Sequence, residues 1–438
     1  MGDLEIKRES YENGLVLIGN PVKETETVAI AGSIKSGAMW DELGKFGAAE
    51  LVSRLLLRGT KGHTAGQLSQ LLEETGSTLE FTNRDESVTF SGRCYYGALK
   101  QLLGTVREAL IEPVFPEEEI EGARAEILSE IRSEEDETRS MAYKEVMGLI
   151  YGKDMPYGRD SLGKSEELER LTRSDLKRFY DENYHPSRVV LAMTGKLDFE
   201  ELRDEIGKLF SSWSGSQGIN FTREKVNRNA SMASVEMSHK SQVDLVFGAR
   251  AVDRNSPHFY SLNLGNLVLG RMGLYGRLGE NVREEKGLAY YSYSVVQARL
   301  YDGNLSIFAG VNPRNVEKAI EGITEEISRI STESLSEDEL AGARKNATGS
   351  LSISLDTSIE RVNIIHDMEY YNLGIDYLDR YPEILSKITP EQVLSDFAKY
   401  FSVDRISMAA AGPLGDGKFK LPKDTMKIMG RSSKRQIN

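Results

Sequence analysis

The chain has 438 residues, of which 39% are hydrophobic and 28% charged, and its net charge at neutral pH is −13. That length exceeds what one hydrophobic core needs and fits two or three domains, while the composition argues against global disorder. The acidic balance disfavours nucleic acid and anionic membrane as partners and mildly favours a neutral or basic peptide.

One cysteine, Cys94, excludes an internal disulfide and fits a reducing, cytoplasmic setting. The opening residues Met1 to Arg8 contain no apolar signal core. No uninterrupted stretch approaches the roughly 18 apolar residues that span a bilayer.

In chain order, Val28–Ile34 reads as a strand, and Thr64 caps a helix carrying Leu68, Leu71 and Leu72 that Gly76 stops. Ser87–Ser91 reads as a strand, and Leu99, Leu102, Leu103, Val106 and Leu110 mark one face of a helix. An acidic helix follows from Glu117 to about Glu137. Further on, Val243–Phe247, Leu288–Ser294 and Asn304–Phe308 read as strands, and Val316, Ile320, Ile323, Ile327 and Ile330 as a helix face. Hairpins followed by helix runs argue for an α+β fold, with helices packed on largely antiparallel sheets.

The chain also repeats itself. EIEGAR at Glu119–Arg124 returns as ELAGAR at Glu339–Arg344, 220 residues later. Thr172, Arg188 and Gly195 return as Thr389, Arg405 and Gly412, all 217 residues later. The chain therefore reads as a tandem duplication of two similar domains, residues 1–213 and 231–438. Residues 214–230, polar and without periodicity, read as the linker.

Two adjoining segments, GRMGLYGRL at Gly270–Leu278 and NVREEKGLAY at Asn281–Tyr290, carry a family resemblance. Together they resemble the second-domain signature of the pitrilysin/insulinase-like metallopeptidases. Further landmarks of that family stand in order: Arg58-Gly-Thr60, EPVFP at Glu112–Pro116, PYGR at Pro156–Arg159 with Gly163, and Tyr184-His-Pro186 leading to Gly195. None is specific alone, and their order and spacing extend the resemblance over nearly the whole chain. It implies processing-peptidase-like domains, each an antiparallel sheet covered by helices.

Active members of that family carry His-x-x-Glu-His on one helix. Imidazoles at i and i+4 share a helix face and hold zinc, and the Glu between them activates a water. Counting back from Gly59-Thr60 places those three roles on Glu50, Ser53 and Arg54, with the distal carboxylate retained as Glu130. Ser53 is no general base by itself, and Arg54 stays protonated and brings positive charge where zinc belongs. Glu50 and Arg54 read instead as an i,i+4 ion pair of the favourable polarity, and Glu130 as solvated or paired. The five histidines (His63, His185, His239, His258 and His366) include no two within four residues, and Cys94 reads as core packing. No metal or cofactor is expected in this chain.

In the family an Arg and a Tyr seven residues later hold peptide beside the zinc, and the match puts these roles on Arg283 and Tyr290. Gly270, Gly273 and Gly276 read as a tight strand-to-helix connection rather than a phosphate cradle. The segment Gly76–Thr82, with Leu79, Glu80 and Phe81, falls where the family presents an edge strand to which substrate adds. An ordinary edge strand blunted by Asn83, Arg84 and Asp85 fits those residues equally. The expected function is that of a non-zinc subunit, inactive alone, in a heterodimeric peptidase whose homologous partner carries the zinc. The alternative is a non-enzymatic homodimer that binds peptides or acts as a scaffold.

Overall fold

The computed structural model describes residues 4–215, 221 and 230–415, so most of the expected linker at 214–230 lies outside the described residues. The first repeat runs β1 (Lys7–Ser10), β2 (Val16–Pro21), β3 (Thr27–Ile34), α1 (Ala48–Leu55), α2 (Ala65–Glu73), β4 (Thr78–Asn83), β5 (Val88–Tyr95) and α3 (Leu99–Ile111). It continues with α4 (Glu117–Glu135), α5 (Thr138–Ile150), α6 (Ser165–Leu168), α7 (Arg173–Asn183), β6 (Val189–Gly195) and α8 (Phe199–Phe210). The second runs β7 (Met232–Glu236), β8 (Val243–Arg250), α9 (Phe259–Asn266), β9 (Ala289–Ala298), β10 (Gly303–Val311) and α10 (Val316–Thr332). It closes with α11 (Glu337–Ser354), α12 (Ser358–Tyr370), α13 (Tyr377–Ser386), α14 (Pro390–Tyr400) and β11 (Ser407–Gly412).

Two sheets form, ordered β1-β2-β6-β3-β5-β4 and β7-β11-β8-β10-β9. Apart from the extra β1, the second order repeats the first strand for strand. Each sheet is antiparallel except at one matching place, the parallel pairs β2–β6 and β11–β7. The fold is the expected α+β duplication.

The residues that recur in sequence do the same job twice. Thr172 and Thr389 cap α7 and α14, each accepting from the backbone N–H three residues on. Arg124 donates to the carbonyls of Leu168 and Leu171 (2.9 Å to the latter), and Arg344 donates to Leu385 (3.1 Å) and Ile388. Gly195 and Gly412 end β6 and β11 at φ of 131° and 143°, where a Cβ would meet the carbonyl oxygens of Thr27 and Gln242 at 2.1 and 2.5 Å.

The compact units follow contact rather than chain order. The first takes the chain to Ile131, the stretch from Asp160 to the end of the first repeat, and Ser350–Asp379. The second takes Arg132–Arg159, the second repeat to Gly349, and the chain from Arg380. The boundaries at 213 and 231 thus delimit repeats, while each unit includes one helical segment from the other repeat.

In the first unit Val28, Ile30 and Ile34 of β3 face a core shared with Leu51, Leu55, Leu103, Val106, Ile120 and Ile127. Ala29 and Ala31 point the other way and, with Ile18 and Ala192, pack against Val362 and Ile365 of α12. The second unit does the same: Val246, Ala409 and Ala411 lie under Ala142, Val146 and Ile150 of α5. With both faces covered, β6 and β11 are buried at every position, which is why VVLAMTG and SMAAAG do not alternate with polar residues. Among the described residues no helix is long and apolar enough to cross a membrane.

Ile365 is fully buried against small side chains that leave no slack. Ile365→Ala is expected to cost about 2–5 kcal/mol of stability, read as a lower denaturant midpoint with β3 and β6 amides exchanging faster.

Candidate functional site

The helix that should carry the metal motif is α1. Gly47 precedes it at φ 103°, and Asp41, 6% exposed, accepts from the N–H groups of Gly47 and Ala49, both at 2.8 Å. This capping carboxylate complements the positive helix start. The family landmark Gly163 packs against the same turn, where a Cβ would lie 2.6 Å from the Gly47 Cα.

Sequence reasoning brings Glu50, Ser53, Arg54 and Glu130 to one place, and three of them meet. Arg54 Nε donates to Glu50 Oε1 at 2.5 Å, and its two terminal nitrogens donate to the two oxygens of Glu130 at 2.8 and 2.5 Å. The guanidinium is thus bound in fork geometry on one side and singly on the other. Glu126 stands 3.9 Å from Arg54 and pairs with Arg58 at 2.5 Å. Ser53 turns away, donating to the Glu50 backbone carbonyl at 2.8 Å.

Burial pushes the Glu50 carboxyl above its usual range, against the hydrogen bonds from Arg54 and Asn83. The hydrogen bond from Arg54 holds Glu130 below its usual range. Arg54 itself is pushed up, chiefly by Glu130. Among the described residues no group of three His, Cys, Asp or Glu side chains is placed to hold a metal ion. Each histidine has its own partner: His63 on Glu108, His185 on the Glu182 carbonyl, His239 on Asp136, His258 on Asp396 and His366 on Ser33. Cys94 is buried in β5, and burial pushes its thiol up to about 11.

The glycine run joins α9 to β9, so it is a helix-to-strand connection and not the strand-to-helix connection expected. The stretch Leu262–Leu269, polar only at Asn263 and Asn266, is buried almost throughout and short enough to fit either element by pattern. It continues α9 through a π-helical turn, Leu267–Arg271. Gly270 lies where a Cβ would be 2.7 Å from the Ser294 N atom, so the turn sits directly on β9. A second π-helical turn, Gly279–Glu285, carries Arg283. Val282 is fully buried beneath it, Arg277 is clamped by Glu339 (2.8 and 3.1 Å), and Lys286 by Glu325 (2.7 Å). On this fixed turn the Arg283 side chain is 44% exposed and among the described residues has one ion-pair partner, Glu284, at 3.7 Å.

Tyr290 is presented by a feature that the sequence does not reveal. Gly310 faces Tyr291 and Val311 faces Ala289, so Tyr290 is the extra residue of a β-bulge. A bulge turns one side chain out of the pleat, and Tyr290 is 60% exposed. Its neighbour points inward. The Tyr291 hydroxyl donates to Asp244, which also accepts from Thr138 and, at 3.1–3.2 Å, from Gln242. The Tyr291 ring covers Gly310, where a Cβ would meet it at 2.4 Å. Burial pushes the Tyr291 phenol up, with Asp244 adding to it.

The third expected element, β4, is an edge strand: β5 pairs with it on one side only. Leu79 is 8% exposed and Phe81 packs on Phe90, while Glu80 accepts from Ser91 at 2.9 Å. Beyond Asn83, the carbonyls of Arg84 and Asp85 are taken by the N–H groups of Ala38 and Met39.

Arg54→Met strands a buried carboxylate and is expected to cost about 3–5 kcal/mol at neutral pH. A raised folded pKa means that the stability due to Glu50 is complete below its unfolded value and lost as pH rises through the folded one. The penalty should therefore shrink on acidification and largely vanish in Arg54→Met/Glu50→Gln, both checked by denaturation between pH 5 and 8.

The chain matches two models of one family: insulinase (peptidase family M16) over residues 16–155 and the peptidase M16 inactive domain over residues 170–347. An uncharacterized zinc protease of Bacillus subtilis is 24% identical over 425 residues, covering 94% of this chain and 99% of that protein. Another, of Rickettsia bellii, is 25% identical over 344 residues, with 78% and 82% covered. The fold superposes on the peptidase M16 inactive domain from Pseudomonas fluorescens with TM-score 0.88 at 22% identity, over 95% of this chain and 99% of that one. It superposes on a protease from Helicobacter pylori with TM-score 0.85 at 17% identity, over 93% and 99%. The chain belongs to the M16, insulinase-type peptidase family, and its second repeat is of the inactive-domain type.

Proposed function

We propose that this chain is the zinc-less subunit of a two-chain M16 peptidase, working in the cytoplasm with a homologous partner that carries His-x-x-Glu-His. The observation that carries the reading is the Arg54 guanidinium held between Glu50 and Glu130. A permanently charged cation there takes up both carboxylates, so the donor set does not fit zinc. Arg283 and Tyr290 support the other half of the reading. Both are exposed on firmly anchored backbone, and Tyr290 makes no hydrogen bond among the described residues.

In that role Arg283 donates to a peptide carbonyl and orients it, and the Tyr290 phenol donates to the oxyanion that develops during cleavage. Peptide pairs along β4 at Leu79–Phe81, backbone to backbone. The bond-breaking chemistry belongs to the partner's zinc.

The test is co-purification of the chain from its native source, mass spectrometry of what accompanies it, and a peptide-cleavage assay of the complex. A partner bearing His-x-x-Glu-His is expected. Tyr290→Phe should lower kcat by a factor on the order of a hundred or more, and Arg283→Ala should raise KM about tenfold, ~1.4 kcal/mol. Self-association without such a partner would instead support a non-enzymatic peptide-binding homodimer. Unchanged kinetics in both variants would remove them from the site.

The assignment of the metal positions has its own test. Glu50→His/Ser53→Glu/Arg54→His is expected to bind one zinc per chain with Glu130 as the third ligand, and to lose it on adding Glu130→Gln. Calorimetry showing no zinc uptake would mean that α1 does not hold those positions.

A further inference from the structure

The first unit contains a cleft of about 590 Å³ at the edge of the sheet face that α12 covers, between the ends of β3 and β5 and the first turn of α12. Arg93 is the one side chain in its lining that is charged at neutral pH. In a chain of net charge −13, the Arg93 side chain is exposed and has no ion pair or hydrogen bond among the described residues. The rim is apolar: Tyr95 is 53% exposed, with its ring resting on Gly97, and Ile359 is 44% exposed. Ala29 lies in the lining as well, and Thr75 and Thr357 bring hydroxyls. A lone guanidinium beside apolar side chains selects a single carboxylate attached to an apolar body.

Position indicates what that carboxylate belongs to. Arg93 stands directly across from Thr78, the first residue of β4, and Thr75 and Gly76 just before that strand also line the cleft. β4 runs from Thr78 to Asn83, so a peptide added antiparallel to its free edge runs the opposite way and ends beside Gly76. We propose that the cleft binds the C-terminal carboxylate of an extended peptide whose last side chain is apolar. Arg93 takes the carboxylate, and Tyr95 and Ile359 take the side chain. The direction of approach rests on the reading of β4 as a peptide-binding edge, whereas the carboxylate recognition rests on the cleft alone.

The probe is an acetylated pentapeptide ending in leucine, titrated into the full chain by calorimetry or NMR. It is compared with its C-terminal amide and with an amide carrying an internal glutamate. The free acid is expected to bind saturably. Amidation, Arg93→Met, or moving the carboxylate to the internal glutamate should each weaken binding about tenfold or more, and Ile359→Ser several-fold. Both substituted side chains are exposed, so circular dichroism should be unchanged. Equal binding of acid and amide, unchanged binding by Arg93→Met, equal binding of the internal glutamate peptide, or no binding of the acid at millimolar concentration would each overturn the proposal. N-methylation at alternate amides separates the two readings. Lost affinity supports strand addition together with the cleft. Retained, carboxylate-dependent affinity keeps the cleft and removes β4 as the edge.

Discussion

A sheet has two faces, and in a chain of this size both must be withdrawn from water. In each unit several helices cover one face, and a single helix closes the other. That second face is built from small residues, Ala29, Ala31 and Ala192 in one sheet and Ala409 and Ala411 in the other. Small side chains let the covering helix approach closely, and they also bury too little to hold a face without it. The covering helices, α12 and α5, come from the opposite repeat. Neither repeat can therefore complete its own sheet from its own sequence, and the duplication is an obligate feature of the fold rather than two beads on a string.

Within each unit, single side chains can tie one helix to the next, and α1 is the case in the first unit. Zinc held by side chains on one helix and a carboxylate on another is, mechanically, a cross-link between the two. Arg54 makes the same link between α1 and α4, with Glu50 on its own helix and Glu130 on the other. Burial of Glu50 makes the link costly to break from one side, because an unpaired carboxylate is left behind. Glu130 thus has a structural role of its own, as the α4 end of that link.

Much of this was legible in the sequence because the repeated residues are structural. Thr172 and Thr389, Arg124 and Arg344, Gly195 and Gly412 are a cap, a carbonyl clamp and a close approach, each used twice. Amphipathic helices such as α3 and α10 and the Thr64 capping box declare themselves by spacing. The exchange of α5 and α12 was not legible, since a covering helix has the same periodicity whichever sheet it covers. The glycine run was misplaced because Leu262–Leu269, polar only at Asn263 and Asn266, is buried almost all round, and such a run has no clear period by which to tell helix from strand. The bulge at Tyr290 left no signal at all. Its cause is the register of β10, with Gly310 sitting under the Tyr291 ring, 19 residues away.

That bulge places two adjacent tyrosines in opposite environments. Tyr291 is spent on structure: its hydroxyl joins Thr138 and Gln242 on the buried Asp244. Asp244 is 2% exposed and would be costly to leave without donors. Its demand for donors fixes Tyr291, and the fixed Tyr291 sends Tyr290 outward. Every member of this arrangement lies in the second unit, just as Glu50, Arg54 and Glu130 lie in the first. Each arrangement thus owes its geometry to partners inside its own unit. A substitution at Glu50, Arg54 or Glu130 therefore acts first on the ion pairs of the first unit, and one at Asp244 or Tyr291 on the bulge of the second.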